Sequence, residues 1–150
     1  MKEINFIVYG DPVGKARPRV SFSTKKVNGV EKKSVHAYNT KKTYAYESLV
    51  KDTYKELFGD FMFDDDAMIK VDIMAYFAIP KSATKKRKHS MMLNTIRPTK
   101  KPDYDNIGKI ICDSLNGIAY KDDSQIVDAN ISKFYAVNPY VSVTLTQIGD

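Results

Sequence analysis

Ile69-Lys70-Val71-Asp72-Ile73-Met74-Ala75-Tyr76-Phe77-Ala78-Ile79-Pro80 is the stretch from which the fold follows. Ile69, Val71, Ile73, Ala75, Phe77 and Ile79 alternate without a break, the period of a strand with one face buried. Pro80 closes it, because proline has no N–H for a ladder. Upstream, Tyr46, Leu49, Val50, Thr53, Tyr54, Leu57 and Phe58 recur at helical spacing from Lys41 onward, and Gly59 supplies a stop. Downstream, Ile107, Ile110, Ile111 and Leu115 form the buried stripe of a second main helix over Asp105–Leu115, ended by Asn116-Gly117. Between them, Ser82–Asn94 forms a short helix with Met91, Met92 and Leu93 toward its end.

Further out the period returns to two. Ile4, Phe6 and Val8 make a first strand that ends at Gly10-Asp11-Pro12. Arg19–Ser23 alternates again, and Asn28-Gly29 reads as a hairpin tip leading to a strand around Ser34–Tyr38. Ile126–Val137 and Tyr140–Ile148 are the last strands, split by Asn138-Pro139. Strands at both ends with helices between them predict an α+β fold, a mixed β-sheet with two main helices packed on it as a two-layer sandwich. A length of 150 residues predicts a single domain over 1–150. With 43% hydrophobic residues, such a chain buries roughly 68–70% of its unfolded surface, which excludes intrinsic disorder. The lone Cys112 has no internal disulfide partner, so a reducing compartment is expected. The opening residues lack the apolar stretch of a signal peptide. The longest apolar run, Ile73–Ile79, is seven residues, against roughly 20 for a spanning helix. The expectation is a soluble, cytoplasmic protein with no membrane partner.

The formal charge of +6 is an average over unlike parts. Lys81–Lys101 holds Lys81, Lys85, Lys86, Arg87, Lys88, Arg97, Lys100 and Lys101 and no acid, so the other 129 residues together carry −2. Lys15–Lys42 contains nine bases, among them Lys15, Arg17 and Arg19, against Glu31 alone. Asp103–Asp128 is the opposite, with Asp103, Asp105, Asp113, Asp122, Asp123 and Asp128 against Lys109 and Lys121. Taken singly, each basic stretch is as readily a solvated face. Clustered carboxylates, however, repel unless a cation sits among them, and Asp-only oxygen donors suit Mg²⁺ or Mn²⁺ rather than zinc. A basic surface around a carboxylate–metal site is what phosphodiester cleavage needs.

Asp103-Tyr104-Asp105-Asn106-Ile107-Gly108-Lys109 carries the chemistry. Asp105, Lys109 and Asp113 stand at i, i+4 and i+8 along one helix edge, and Asp103 stands at its entrance, where the dipole favours an anion. Alone, D-x-D-x-x-x-K reads more simply as an N-cap and a salt bridge. An EF-hand loop from Asp103 fails, because Ile107 and Ser114 stand where carboxylate ligands belong. A P-loop over Gly10–Ala16 fails on its glycine spacing and on Ala16 in place of Ser or Thr. Lys121-Asp122-Asp123-Ser124-Gln125 is by itself a turn, but it returns two carboxylates toward the helix that carries Asp105.

In order, D-x-D-N-ϕ-x-K-x-ϕ-x-D-x-L-N-G and then D-D-x-Q-ϕ-V-D resemble the RusA family of Holliday junction resolvases. They stand here as Asp103 to Lys109, Asp113, Leu115-Asn116-Gly117 and Asp122 to Asp128. The opening Gly10-Asp11-Pro12-Val13-Gly14-Lys15-Ala16-Arg17-Pro18-Arg19 and the Tyr-rich first helix are similar to the family too. The resemblance covers most of the chain, least at Ser23–Tyr38 and Asp60–Asp66. It implies a RusA-like sandwich and a homodimeric, Mg²⁺-dependent endonuclease of phage or prophage type. Such an enzyme cuts a four-way DNA junction symmetrically in recombination and repair. It places Asp103, Asp105 and Asp123 on the family's metal-binding carboxylates and Lys109 on its catalytic lysine, with Asp113 and Asp122 in support. The DNA contacts expected are Lys15, Arg17, Arg19, Lys85, Lys86, Arg87, Lys88, Arg97, Lys100 and Lys101.

In that scheme Lys109, a cation among carboxylates, acts electrostatically rather than as general base. His36 and His89, in basic stretches, make poor catalysts. Phe61 and Phe63 are candidates for a junction-opening wedge, with burial the favoured reading. Two alternatives stand beside this one: a non-enzymatic basic DNA-binding protein, and a nuclease for other branched DNA.

Overall fold

The computed structural model describes residues 2–17, 19–38 and 40–149, leaving the side chains of residues 19 and 36–38 outside the description. In chain order the elements are β1 (Glu3–Tyr9), β2 (Arg19–Val27), β3 (Val30–Tyr38), α1 (Lys41–Phe58) and β4 (Met68–Ala78). They continue with α2 (Lys85–Met92), α3 (Tyr104–Ser114), a single 3₁₀ turn (Asp123–Gln125), β5 (Ile126–Ala136) and β6 (Tyr140–Ile148). Four strands form a mixed sheet in the order β1-β6-β4-β5, with β6 antiparallel to both neighbours and β4 parallel to β5. The fold is α+β, as the alternating stretches and helical stripes predict. Among the described residues, β2 and β3 pair only with each other.

The alternation along β4 decides which face is the core. Ile69, Val71, Ile73, Ala75 and Phe77 are buried, while Tyr76 on the other face stacks between its register partners Phe134 and Tyr140. α1 and α3 close the buried side: Tyr46, Val50 and Tyr54 of α1 and Ile107, Ile110 and Ile111 of α3 join the strand residues in one cluster. Phe63 belongs to that cluster, and Phe61 packs against it edge-on at 5.1 Å, so the loop phenylalanines are not a free wedge.

Leu49 and Leu57, expected in the buried stripe of α1, are 43% and 59% exposed. The reason is topological. α1 packs on β1 and α3, and β1 is an edge of the sheet, so the flank of α1 carrying these two leucines faces an open groove along that strand, shared with Asn5, Ile7 and Tyr9. Among the described residues no helix is long and apolar enough to cross a membrane.

A parallel pair needs a long crossover. Here the β4-to-β5 crossover carries α2, α3 and the 3₁₀ turn, and thereby sets the two acidic motifs against the same pair of strands.

Candidate active site

α3 begins in an unusual way. Its N-cap residue Asp103 has the extended backbone of a cap, yet its carboxylate makes no capping hydrogen bond. Thr40 and Thr84, at the same position of α1 and α2, each accept one from the third residue on. The Asp103 carboxylate is therefore not consumed by its own helix. Asp105 follows in the first turn and Lys109 one turn later, and the Lys109 Nζ lies 3.5 Å from the Asp113 carboxylate. Asp103, Asp105 and Lys109 are all exposed. Two glycines bring the backbone close on either side. A Cβ on Gly108 would run into Ile131 Cδ1 of β5, so α3 lies flush on that strand. A Cβ on Gly14 would stand 2.8 Å from Pro102 Cβ, where the 10–17 loop docks through Lys15 N–H to the Asn106 carbonyl.

The second motif divides its labour among three side chains. Asp122 caps the 3₁₀ turn, accepting from the Ser124 N–H at 3.2 Å, and those hydrogen bonds hold its carboxyl below the usual range. Gln125 Oε1 accepts from the N–H groups of Lys121 and Asp122, while its Nε2 donates to the carbonyls of Asp64 and Ala67. Immediately afterwards β5 bulges at Val127, where the register steps from Ile69↔Ile126 to Lys70↔Asp128. With its neighbours so occupied, Asp123 is left half-buried on a groove of about 400 Å³ shared with Asp105, Lys109, Tyr104, Gly108 and Cys112. Burial, chiefly, pushes the Cys112 thiol up to about 11, so it is a neutral lining group.

Asp103 opens onto a neighbouring cleft of about 480 Å³ between the 12–16 loop, the start of α1 and Lys101-Pro102. The structure thus brings Asp105, Lys109 and Asp123 together and sets Asp103 next door. Among the described residues, no three of His, Cys, Asp or Glu gather closely enough to enclose a metal ion. The donors present are nonetheless those a hard cation takes, since Mg²⁺ is commonly held by one or two carboxylates with water and substrate phosphate completing its shell.

Lys15 is less a surface contact than a tie. Its ammonium lies 2.8 Å from Glu47 and 3.5 Å from Asp113, with 13% of the side chain exposed. Burial alone would depress its pKa; the Glu47 hydrogen bond and charge, with Asp113 behind, raise it. Glu47, the one acid between Lys41 and Lys51, was missed from sequence, although it sits beside the core residue Tyr46. Lys133 was missed as well. It reaches the Lys100 carbonyl at 2.6 Å and crosses the Phe77 ring at 5.0 Å. Burial lowers its pKa while the nearby charge of Asp103 opposes the shift.

Of the expected DNA contacts, Arg17, Lys85, Lys86, Arg87, Lys100 and Lys101 are exposed and Lys88 is half-buried. Arg97, also exposed, is tied to the sheet edge, its Nε donating to the Lys133 carbonyl at 2.8 Å and its guanidinium 4.2 Å from the Phe134 ring centre. The Arg19 and His36 side chains lie outside the described residues, and position 36 falls within β3.

The family model described as Endodeoxyribonuclease RusA matches residues 9–146. A Bacillus subtilis (strain 168) protein named Uncharacterized protein YqaN is 35% identical over 147 residues, which is 97% of this chain and 96% of that one.

Proposed function

Because this chain belongs to the RusA family of endodeoxyribonucleases, we propose that it is a Mg²⁺-dependent resolvase. It cuts four-way DNA junctions by paired, symmetric phosphodiester hydrolysis, as a homodimer in the cytoplasm. The observation that carries the chemistry is the single groove shared by Asp105, Asp123 and Lys109, with Asp103 at its side.

Asp105 of α3 and Asp123 of the 3₁₀ turn, which line the same groove, would hold the cation. Neither carboxylate is engaged in an ion pair among the described residues, so neither must surrender a partner to do so. When bound, Mg²⁺ or Mn²⁺ supplies Lewis-acid polarisation of the scissile phosphate and activates the attacking water. Lys109 sets a positive charge where the phosphate gains negative charge in the transition state, and Asp113 keeps that ammonium at the groove. Exposed lysines and arginines of α2 and the 97–101 segment hold the backbone phosphates of the DNA arms.

Asp105→Asn and Asp123→Asn should each lower cleavage of a labelled junction by about 10³-fold or more, the scale of losing an electrostatic catalytic group, and binding should stay equal or become tighter. EDTA should abolish cutting by the parent. Unchanged Mg²⁺-dependent nicking by either variant would overturn the assignment of these carboxylates, whereas a parent that binds the junction but never cuts it with Mg²⁺ would be a non-enzymatic DNA binder. Competition by linear duplex, flaps and forks sets its selectivity among branched substrates.

A further inference from the structure

Every residue from Val20 to Val35 is exposed, so β2 and β3 stand clear of the core as a free two-stranded ribbon. An isolated hairpin is marginal in water, and the register makes this one harder to keep. Lys25 faces Lys32 directly across the strands, and only Lys26 meets an acid, Glu31. Like charges opposite one another destabilise a pair. The tip half therefore concentrates Lys25, Lys26, Lys32 and Lys33 around Asn28-Gly29, a turn with both residues at positive φ, as the twist of a regular ribbon requires. Toward the base, Val20, Phe22 and Val35 share one uncovered face, Phe22 being 79% exposed.

Nine residues per strand extend about 30 Å. B-DNA's major groove, about 12 Å wide, admits a two-stranded ribbon. We infer that the β2–β3 hairpin is a DNA-binding arm that lies along a groove of the duplex next to the cut, its four tip lysines on phosphates. The inference rests on the reading of this chain as a DNA endonuclease and assigns that enzyme a DNA-binding surface outside the groove of Asp105. A polyanion is the occupant that relieves the opposed lysines. A second copy of the chain seated on Phe22 would instead bring two basic arms toward each other.

The test is the quadruple variant K25Q/K26Q/K32Q/K33Q, whose exposed changes leave the core intact. Its binding to a linear duplex and to a four-way junction is measured across a NaCl series in EDTA. The slope of log K against log[salt] should become shallower by about 0.9 for each phosphate no longer neutralised, hence by about 2 to 4 overall, with at least tenfold weaker binding at low salt. An unchanged slope would overturn the arm. So would F22S/V35S converting a dimer to monomer in sedimentation, since the hairpin would then serve the subunit interface. Cutting by the parent with Mg²⁺ is scored alongside. A parent that binds but does not cut removes the nuclease reading and leaves the arm standing, whereas one that cuts while the quadruple variant keeps its slope removes the arm alone.

Discussion

Gly108 sits in the middle of α3, where glycine costs a helix about 1 kcal/mol relative to alanine. On propensity alone, Gly108→Ala should stabilise. The missing Cβ, however, is what lets α3 lie against Ile131 Cδ1, and forcing a methyl into a packed interior costs about 1–3 kcal/mol. We expect Gly108→Ala to be destabilising by about 0–2 kcal/mol net. Ile131→Val removes the offending methyl, so in that background the same change should shed most of its cost. A double-mutant cycle by urea unfolding reads the coupling. Additive single changes would mean the helix can move off β5 freely. Because Gly108 also lines the groove, the single variant should lose cleavage beyond its loss of stability. The sequence placed Asp105 and Lys109 in one motif and Asp123 in a second that follows it. Its letters did not reveal that Asp122 and Gln125 are spent on holding the turn, because a capping box and a pair of ligands are both written in polar residues at short spacing.

The ion pairs among α1, the 10–17 loop and α3 tie three elements together. Lys15 bridges Glu47 and Asp113, and Asp113 in turn meets Lys109. A cation whose pKa is raised on folding contributes stability that is fully present below its unfolded value, here 10.5, and that is lost as pH rises through the raised value. Glu47→Gln should therefore cost about 1–3 kcal/mol at neutral pH, with the gap to the parent closing above pH 10.5. Urea unfolding of both proteins across that range checks it, and a gap constant with pH would place the contribution in packing. Element types were readable because period two and period 3.6 are local properties, as in β4 and α3. What α1 faces was not. Leu49 and Leu57 match the helical stripe as well as Val50 does, and only the position of β1 at the sheet's edge exposes them. Glu47 escaped for a related reason, since a lone acid among lysines looks like a solvated pair until the 10–17 loop folds over it.

Across the whole molecule the charge of +6 separates into an acidic groove at the β4–β5 crossover and basic surfaces on α2, the 97–101 segment and the β2–β3 ribbon. This division suits a polyanion that must be held by its flanks while one phosphate enters among carboxylates. One groove cuts one strand, and a four-way junction needs two cuts related by a two-fold axis, so the proposed dimer follows from substrate symmetry as much as from kinship. Mixed dimers of parent and Asp105→Asn chains, assembled by co-refolding and separated by a tag on one partner, isolate the point. If each chain holds its own complete groove, the mixed dimer should nick one strand at about half the parental rate per dimer and give almost no linear duplex product. A nicked junction on a denaturing gel, intact on a native one, is the expected pattern. Paired cuts by the mixed dimer would mean that one groove serves both strands in turn. Loss of all nicking would mean that neither groove cuts unless both are intact.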